Sequence, residues 1–271
     1  MSAMRVGSYN ILHGMRVLGG SAEADTAALA DAVASLDTDV LGLQEVDYMQ
    51  PRSGMVDQTA LAAEALGAQH WKFVPTVAGT PGPGGQFRAS RPGDLHALDP
   101  DQPLYGVGLV SRVPVLHWRY TVMRAARMTM PLLVPGNPRP QILRVPDEPR
   151  AVIAAVLDLP TPVTVATAHL SFVPGFNISQ LRRIKTWLAQ MPRPLILVGD
   201  FNMPGNLPKR ITGWTTAGLG PSYPVFRPRV KFDHILSDGI DPTQPEVHAL
   251  PVSDHCAVTA QFPAASLQPG Q

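Results

Sequence analysis

The 271 residues, 45% of them hydrophobic, suffice for one large domain, and a formal net charge of +1 without a basic run leaves no strong electrostatic footprint for duplex nucleic acid. A nuclease is not thereby excluded, because local fields matter more than totals. Cys256 is the only cysteine, which excludes an internal disulfide, and no run of about 18 apolar residues offers a membrane span.

Met4-Arg5-Val6-Gly7-Ser8-Tyr9 reads as a first strand that ends on Asn10. No charged segment followed by a long apolar core precedes it, so the expected location is the cytoplasm. A loop over 11–20 leads to a helix over 23–36, with Leu29, Val33 and Leu36 on one face. A strand over 39–44 runs into Glu45 and Asp47, and a helix over 58–66 stops at Gly67. Residues 70–74 read as a strand. Residues 78–103 are rich in Pro and Gly, carry Arg88, Arg91 and His96, and are too long for a plain connection; they read as a substrate-side flap, with a disordered excursion as the alternative. Strands over 106–110 and 115–122 follow, then a Pro-rich loop over 131–149.

Residues 151–159 and 163–168 read as a strand pair that ends on His169. A helix over 180–188 places Leu181, Ile184 and Leu188 on one face. Next comes the most informative stretch, the apolar run Pro194-Leu195-Ile196-Leu197-Val198 followed by Gly199-Asp200-Phe201-Asn202. A buried strand stops there on a carboxylate and a carboxamide two residues apart, which face the same way on extended backbone. An anionic base beside a neutral donor suits activation of water next to a phosphoryl group. Asp233-His234-Ile235-Leu236 opens another strand, Ser253-Asp254-His255 precedes a last one, and 263–271 reads as a tail. Helices interleave with the early strands and uniform βαβ alternation is missing. The pattern predicts an α/β fold of two packed sheets with helices outside, in one domain over 1–262.

Taken in order, these segments resemble the endonuclease/exonuclease/phosphatase superfamily of deoxyribonucleases, apurinic-site endonucleases, sphingomyelinases and inositol-phosphate 5-phosphatases. The matching stretches are Ser8-Tyr9-Asn10, Leu43-Gln44-Glu45-Val46-Asp47, Gly106 to Arg112, Ala168-His169-Leu170, Gly199-Asp200-Phe201-Asn202, Phe232-Asp233-His234-Ile235 and Ser253-Asp254-His255. Each is weak alone; their shared order is not. The resemblance implies a four-layer α/β sandwich, two packed mixed β-sheets flanked by helices, and divalent-metal-dependent phosphoester hydrolysis.

It also implies roles. Glu45 is the expected ligand of Mg²⁺ (or Mn²⁺), hard cations that take oxygen donors. Asn10 would hold a metal-bound water or a phosphate oxygen, and Asp254 is a second metal or water contact. Asp200 would orient and deprotonate the attacking water, and Asn202 would donate to the oxygen gaining charge. His255 would bond a non-bridging oxygen or act as an acid, with Asp233 holding its orientation. His169 is a second phosphate contact. Asp47, Arg52 and Asp57 flank this set and take a structural reading, with shaping of its rim as the alternative; Tyr105 and Trp118 are read as packing. The expected partner is a phosphoester, with nucleic acid or nucleotide favoured, and no protein partner is implied. The alternatives are a phosphomonoesterase, a sphingomyelinase-like phospholipid hydrolase, or a binding or scaffold protein that kept the fold.

Overall fold

Strands that are apolar on both faces must be covered on both, and this chain solves that by stacking two sheets between helices. The computed structural model describes residues 3–18, 23–82, 86–91, 93–94, 99, 101–134 and 141–263. In chain order its elements are β1 (Ala3–Asn10), α1 (Thr26–Leu36), β2 (Val40–Tyr48), α2 (Gln58–Leu66), β3 (His70–Gly79), β4 (Phe87–Ala89), β5 (Leu104–Ser111) and β6 (Val115–Met123). They continue with β7 (Thr129–Val134), β8 (Gln141–Pro146), β9 (Arg150–Leu157), β10 (Val163–His169), α3 (Phe176–Leu188), β11 (Leu195–Asp200) and α4 (Leu207–Thr212). The last are β12 (Thr215–Thr216), β13 (Asp233–Asp238), β14 (Thr243–His248) and β15 (Ala257–Pro263).

One sheet has seven strands in the order β14-β15-β1-β2-β5-β3-β4, and the other six in the order β12-β13-β11-β10-β9-β6. Both are mixed: β1 and β2 run parallel, as do β10 and β11, and other neighbours pair antiparallel.

Alternation along the strands assigns each side chain to a layer. On β11, Ile196 and Val198 enter the core between the sheets, whereas Leu195 and Leu197 face outward. On β9, Ile153 and Ala155 face inward, and Val152 and Ala154 outward. The outward set meets Leu181, Ile184 and Leu188 of α3, and on the other sheet Leu41 and Leu43 of β2 meet Leu29, Val33 and Leu36 of α1. The result is helices, sheet, sheet, helices, as the resemblance implied.

The sheets press closest near the site. A Cβ on Gly42 of β2 would lie 2.4 Å from Thr167 Oγ1 on β10, so glycine is required by space there. Two residues on, Gln44 donates to that same hydroxyl at 2.9 Å and accepts from Ser8 Oγ at 3.2 Å. This buried tie fixes the level of β2 against β10, and with it that of Glu45 against His169.

Several local readings shift. Helix α1 starts at Thr26, not at residue 23, because the Asp25 side chain accepts from the Ala28 amide and caps it. Residues 131–149 are not simply a loop: β7 and β8 pair antiparallel from Thr129↔Pro146 to Val134↔Gln141. Within 78–103, β3 runs on to Gly79 and β4 pairs with it, while Arg88 binds Asp94 through two bonds of 2.6 and 3.0 Å. The remainder of that segment, His96 included, lies largely outside the described residues, as does the tail beyond Pro263. Among the described residues, no helix is long and apolar enough to cross a membrane.

Candidate active site

Strand register brings the predicted residues to one end of both sheets. In the six-stranded sheet His169 pairs with Asp200 and Asp200 with Asp233, so three functional side chains stand in one row across β10, β11 and β13. In the other sheet Asn10 pairs with Gln44, one residue before Glu45. Pairing of β2 with β5 slips between Leu43 and Val46, and Glu45 sits in that irregularity at φ 57°, a left-handed conformation that ordinary residues avoid. Asn202 is likewise left-handed at φ 50°. Strained backbone at two candidate residues fits a site that surrounding packing holds in place.

Asp200 is the hub. Its Oδ1 accepts from the Asn202 amide at 2.9 Å, and its Oδ2 accepts from Asn10 Nδ2 at 3.1 Å. His169 Nε2 lies 3.5 Å and His255 Nε2 3.7 Å from Oδ2. Asn10 Nδ2 also donates to Glu45 Oε1 at 3.0 Å, and its oxygen accepts from the Leu12 amide at 3.1 Å. Asn10 therefore joins the two carboxylates. Asn202 Nδ2 donates to the Leu170 carbonyl at 2.9 Å and stands 3.3 Å from His169 Nε2. Gly199 makes this end possible. At φ 150°, a Cβ there would lie 1.9 Å from the Ala168 carbonyl oxygen.

The environment pushes the two histidines apart. Burial, reinforced by Arg150 and then His255, holds the His169 imidazole well below its ordinary pKa, so it is neutral. Burial alone would lower His255 too, but the carboxylates of Asp233 and Asp200 outweigh it and raise the ring well above its ordinary value. Asp233 Oδ2 lies 2.8 Å from His255 Nδ1 and accepts from Ser222 Oγ at 2.5 Å. Asp200 is itself raised, chiefly by burial, with the charge of His255 opposing. One neutral and one charged imidazole on either side of a carboxylate is a division of labour suited to acid–base chemistry.

Two sets of residues offer themselves to a cation. Asp200, Asp233 and His255 present ligand atoms within 4.8 Å of one another, but there the two carboxylates already share the His255 ring, 3.7 and 2.8 Å away. Glu45 and Asp254 are different. Burial and the repulsion of Asp254 push Glu45 up to about 7, and burial also raises Asp254. Neither makes an ion pair among the described residues. Two half-buried, mutually repelling carboxylates are a donor set that a hard dication fits.

Of the flanking residues, Asp47 and Asp57 do not form a rim. Asp47 is fully buried and held by Arg52 through bonds of 2.8 and 2.7 Å, and Asp57 caps α2 through the amides of Thr59 and Ala60. Tyr105 is buried as a packing residue, with the Arg52 guanidinium 5.7 Å from its ring. The sequence reading overlooked Arg150. This residue opens β9 and is 3% exposed, with Nη1 lying 2.9 Å from His169 Nδ1 and 3.1 Å from Glu148 Oε1. A charge at the head of the apolar strand Arg150–Leu157 was the available signal. Tyr223, also unmarked, places its ring 4.8 Å from that of His255.

Comparison with known proteins agrees with this fold. The sequence pattern of the Endonuclease/Exonuclease/phosphatase family matches residues 7–255. No curated protein matches the chain. Among solved structures, an endonuclease/exonuclease/phosphatase from Beutenbergia cavernae DSM 12333 aligns with a TM-score of 0.65 at 21% identity, covering 97% of this chain and 72% of that one. Sphingomyelinase C from Streptomyces griseocarneus aligns at 0.57 and 16% identity, covering 96% and 99%. D. rerio TDP2 complexed with single strand DNA product aligns at 0.57 and 15% identity, covering 97% and 99%. Identities this low carry the fold, not a substrate.

Proposed function

The chain belongs to the endonuclease/exonuclease/phosphatase family, and from its site we propose a divalent-metal-dependent phosphodiesterase acting on nucleic acid or nucleotides. The observation that carries this reading is Asp200, held by Asn10 and Asn202 between a neutral His169 and a charged His255.

In this reading Asp200 takes a proton from water as its oxygen attacks phosphorus. Its raised pKa brings the carboxylate nearer to neutrality, where a general base is effective. The bond from phosphorus to the leaving oxygen breaks, and the His255 imidazolium, oriented by Asp233, returns a proton to that oxygen. Asn202 and His169 are contacts for the non-bridging oxygens. Glu45 and Asp254 would hold Mg²⁺ or Mn²⁺, with Asn10 fixing Glu45, and the ion would supply positive charge against the charge developing on the phosphoryl group. One catalytic domain over 1–262 is the corresponding unit, since β1 and β15 both contribute to the core between the sheets.

The preference for nucleic acid rests on the segment between β12 and β13. Its Val225 amide donates to the Asp254 carbonyl at 2.7 Å, next to the Tyr223 ring on His255. Beyond it Phe226 is 67% exposed, followed by exposed Arg227 and Arg229. An aromatic face with guanidinium groups beside it suits stacking on a base and contact with phosphate. The test incubates purified protein and Mg²⁺ or Mn²⁺ with plasmid, oligonucleotide, nucleotide, sphingomyelin and phosphomonoester substrates, with Asp200→Asn as control. Turnover of nucleic acid or nucleotide that the variant loses supports the reading. Preference for sphingomyelin or phosphomonoesters moves the substrate class, and no turnover at all returns the chain to a binding role.

A further inference from the structure

We propose that Arg150 is a positioning residue for His169, fixing it as the tautomer that carries its proton on Nε2. A guanidinium can donate hydrogen bonds but cannot accept them. At 2.9 Å, Arg150 Nη1 therefore requires a lone pair on His169 Nδ1. A neutral imidazole with a bare Nδ1 has its hydrogen on Nε2. That atom faces Asp200 Oδ2 at 3.5 Å, an acceptor for its hydrogen; Asn202 Nδ2, 3.3 Å from the same nitrogen, is also a donor and spends its hydrogen on the Leu170 carbonyl at 2.9 Å. His169 then acts as a fixed donor into the site and exchanges no proton.

Arg150 is held chiefly through Nη1 and by charge, its Nε being buried without a hydrogen-bond partner. Nη1 reaches Glu148 Oε1 at 3.1 Å and Nη2 lies 3.7 Å from Asp147 Oδ1. The guanidinium carbon is 5.7 Å from the Phe172 ring centroid. Ser171 Oγ donates to Asp147 Oδ1 at 2.9 Å, which ties this group to the strand end that carries His169. The charged and titratable groups around the imidazole are thus Arg150 with Glu148 and Asp147 on one side, and Asp200 and His255 on the other. A positive charge directly against Nδ1 opposes a second proton on the ring. Without it, the acids at Asp147, Glu148 and Asp200 would favour the imidazolium.

The tautomer can be read without any substrate, whereas its use toward a phosphate oxygen rests on the phosphoesterase reading. In protein labelled with ¹⁵N-histidine, long-range ¹H–¹⁵N correlation distinguishes the two neutral tautomers from the imidazolium. The His169 signals are those that vanish in His169→Gln. In the wild type we expect the Nε2–H form throughout about pH 5 to 8. In Arg150→Met the ring should titrate within that range. With Mg²⁺ and bis(4-nitrophenyl) phosphate as probe, kcat/KM should fall about 10–100-fold and gain an acid limb. A wild-type His169 protonated on Nδ1, or charged, overturns the proposal, as does an Arg150→Met spectrum that keeps Nε2–H across the range. Should Arg150→Met not fold, Arg150→Lys replaces it: the retained cation should preserve the neutral Nε2–H form, and any other form overturns the assignment. If no phosphoester is hydrolysed, the catalytic reading fails while the spectra still decide this one.

Discussion

Asn10 Nδ2 lies 3.1 Å from Asp200 Oδ2, although 190 residues separate them in the chain. The same nitrogen reaches Glu45 at 3.0 Å, so the carboxamide joins the ends of two different sheets. Asp200 is thereby oriented by neutral donors, and burial outweighs the nearby charge of His255 to keep its pKa raised. Replacing Asp200 by Asn keeps the shape and removes the base. Turnover of the best phosphoester should fall at least about 10²-fold, with the melting temperature little changed. Near wild-type turnover with a normal melting curve would remove Asp200 from the role of base.

Glu45 and Asp254, both half-buried, repel each other. Glu45→Gln relieves that repulsion but removes a ligand charge. Two opposite effects are expected. Without divalent metal the variant should melt at a higher temperature than wild type. With metal it should need more Mg²⁺ for half-maximal activity and gain less thermal stability from it. A metal titration unchanged in both activity and melting would exclude Glu45 as a ligand.

Gly199 tests how tightly the site depends on its strand ends. An alanine Cβ there would meet backbone, the Ala168 carbonyl oxygen at 1.9 Å, and no rotamer change can relieve that. β10 and β11 would have to part at the residues preceding His169 and Asp200. Gly199→Ala should unfold at a clearly lower temperature, and any folded fraction should show kcat reduced more than KM is raised. Wild-type stability would mean that the strand ends move freely, and the register of His169 against Asp200 would lose its significance.

The layers of this fold were legible because its central strands, apolar on both faces, read as continuous runs bounded by turn residues. Leu195 to Val198 is one, and the polar residue that ends it is the candidate base. Asp200, Asn202, His169, Asp233 and His255 could be named for that reason, each lying at or close to a strand end, whereas Glu45 sits at an irregularity inside β2. Arg150 escaped because its partner is set by register between β9 and β10, which pairs Ala168 with Val152 across the sheet and which no local pattern encodes. The β7–β8 pair escaped because its prolines, Pro131 and Pro146, imitate a loop, although both lie in strands paired to a single neighbour. Asp47 takes the structural reading. It carries a charge beside the site, yet Arg52, five residues on, turns back to neutralise it in the interior.

His234, next to Asp233 in the chain, makes stability depend on acid. It is buried, stacks on Phe201 with ring centroids 5.4 Å apart, and donates from Nε2 to the Met203 carbonyl at 2.9 Å. Burial lowers its pKa to about 4, against a weaker opposing effect of that bond. The folded value lies below the unfolded one, so the unfolded chain binds the proton first as pH falls. The contribution is present above the unfolded pKa, about 6.5, and is lost progressively towards the folded value. Between pH 7 and about 4 the loss amounts to on the order of 3 kcal/mol. His234→Gln retains a side-chain donor but cannot take up that proton. Urea unfolding of both proteins at the two ends of this interval should show the wild type losing more stability than the variant. Equal losses would mean that His234 is already charged in the fold, or hydrated enough not to matter.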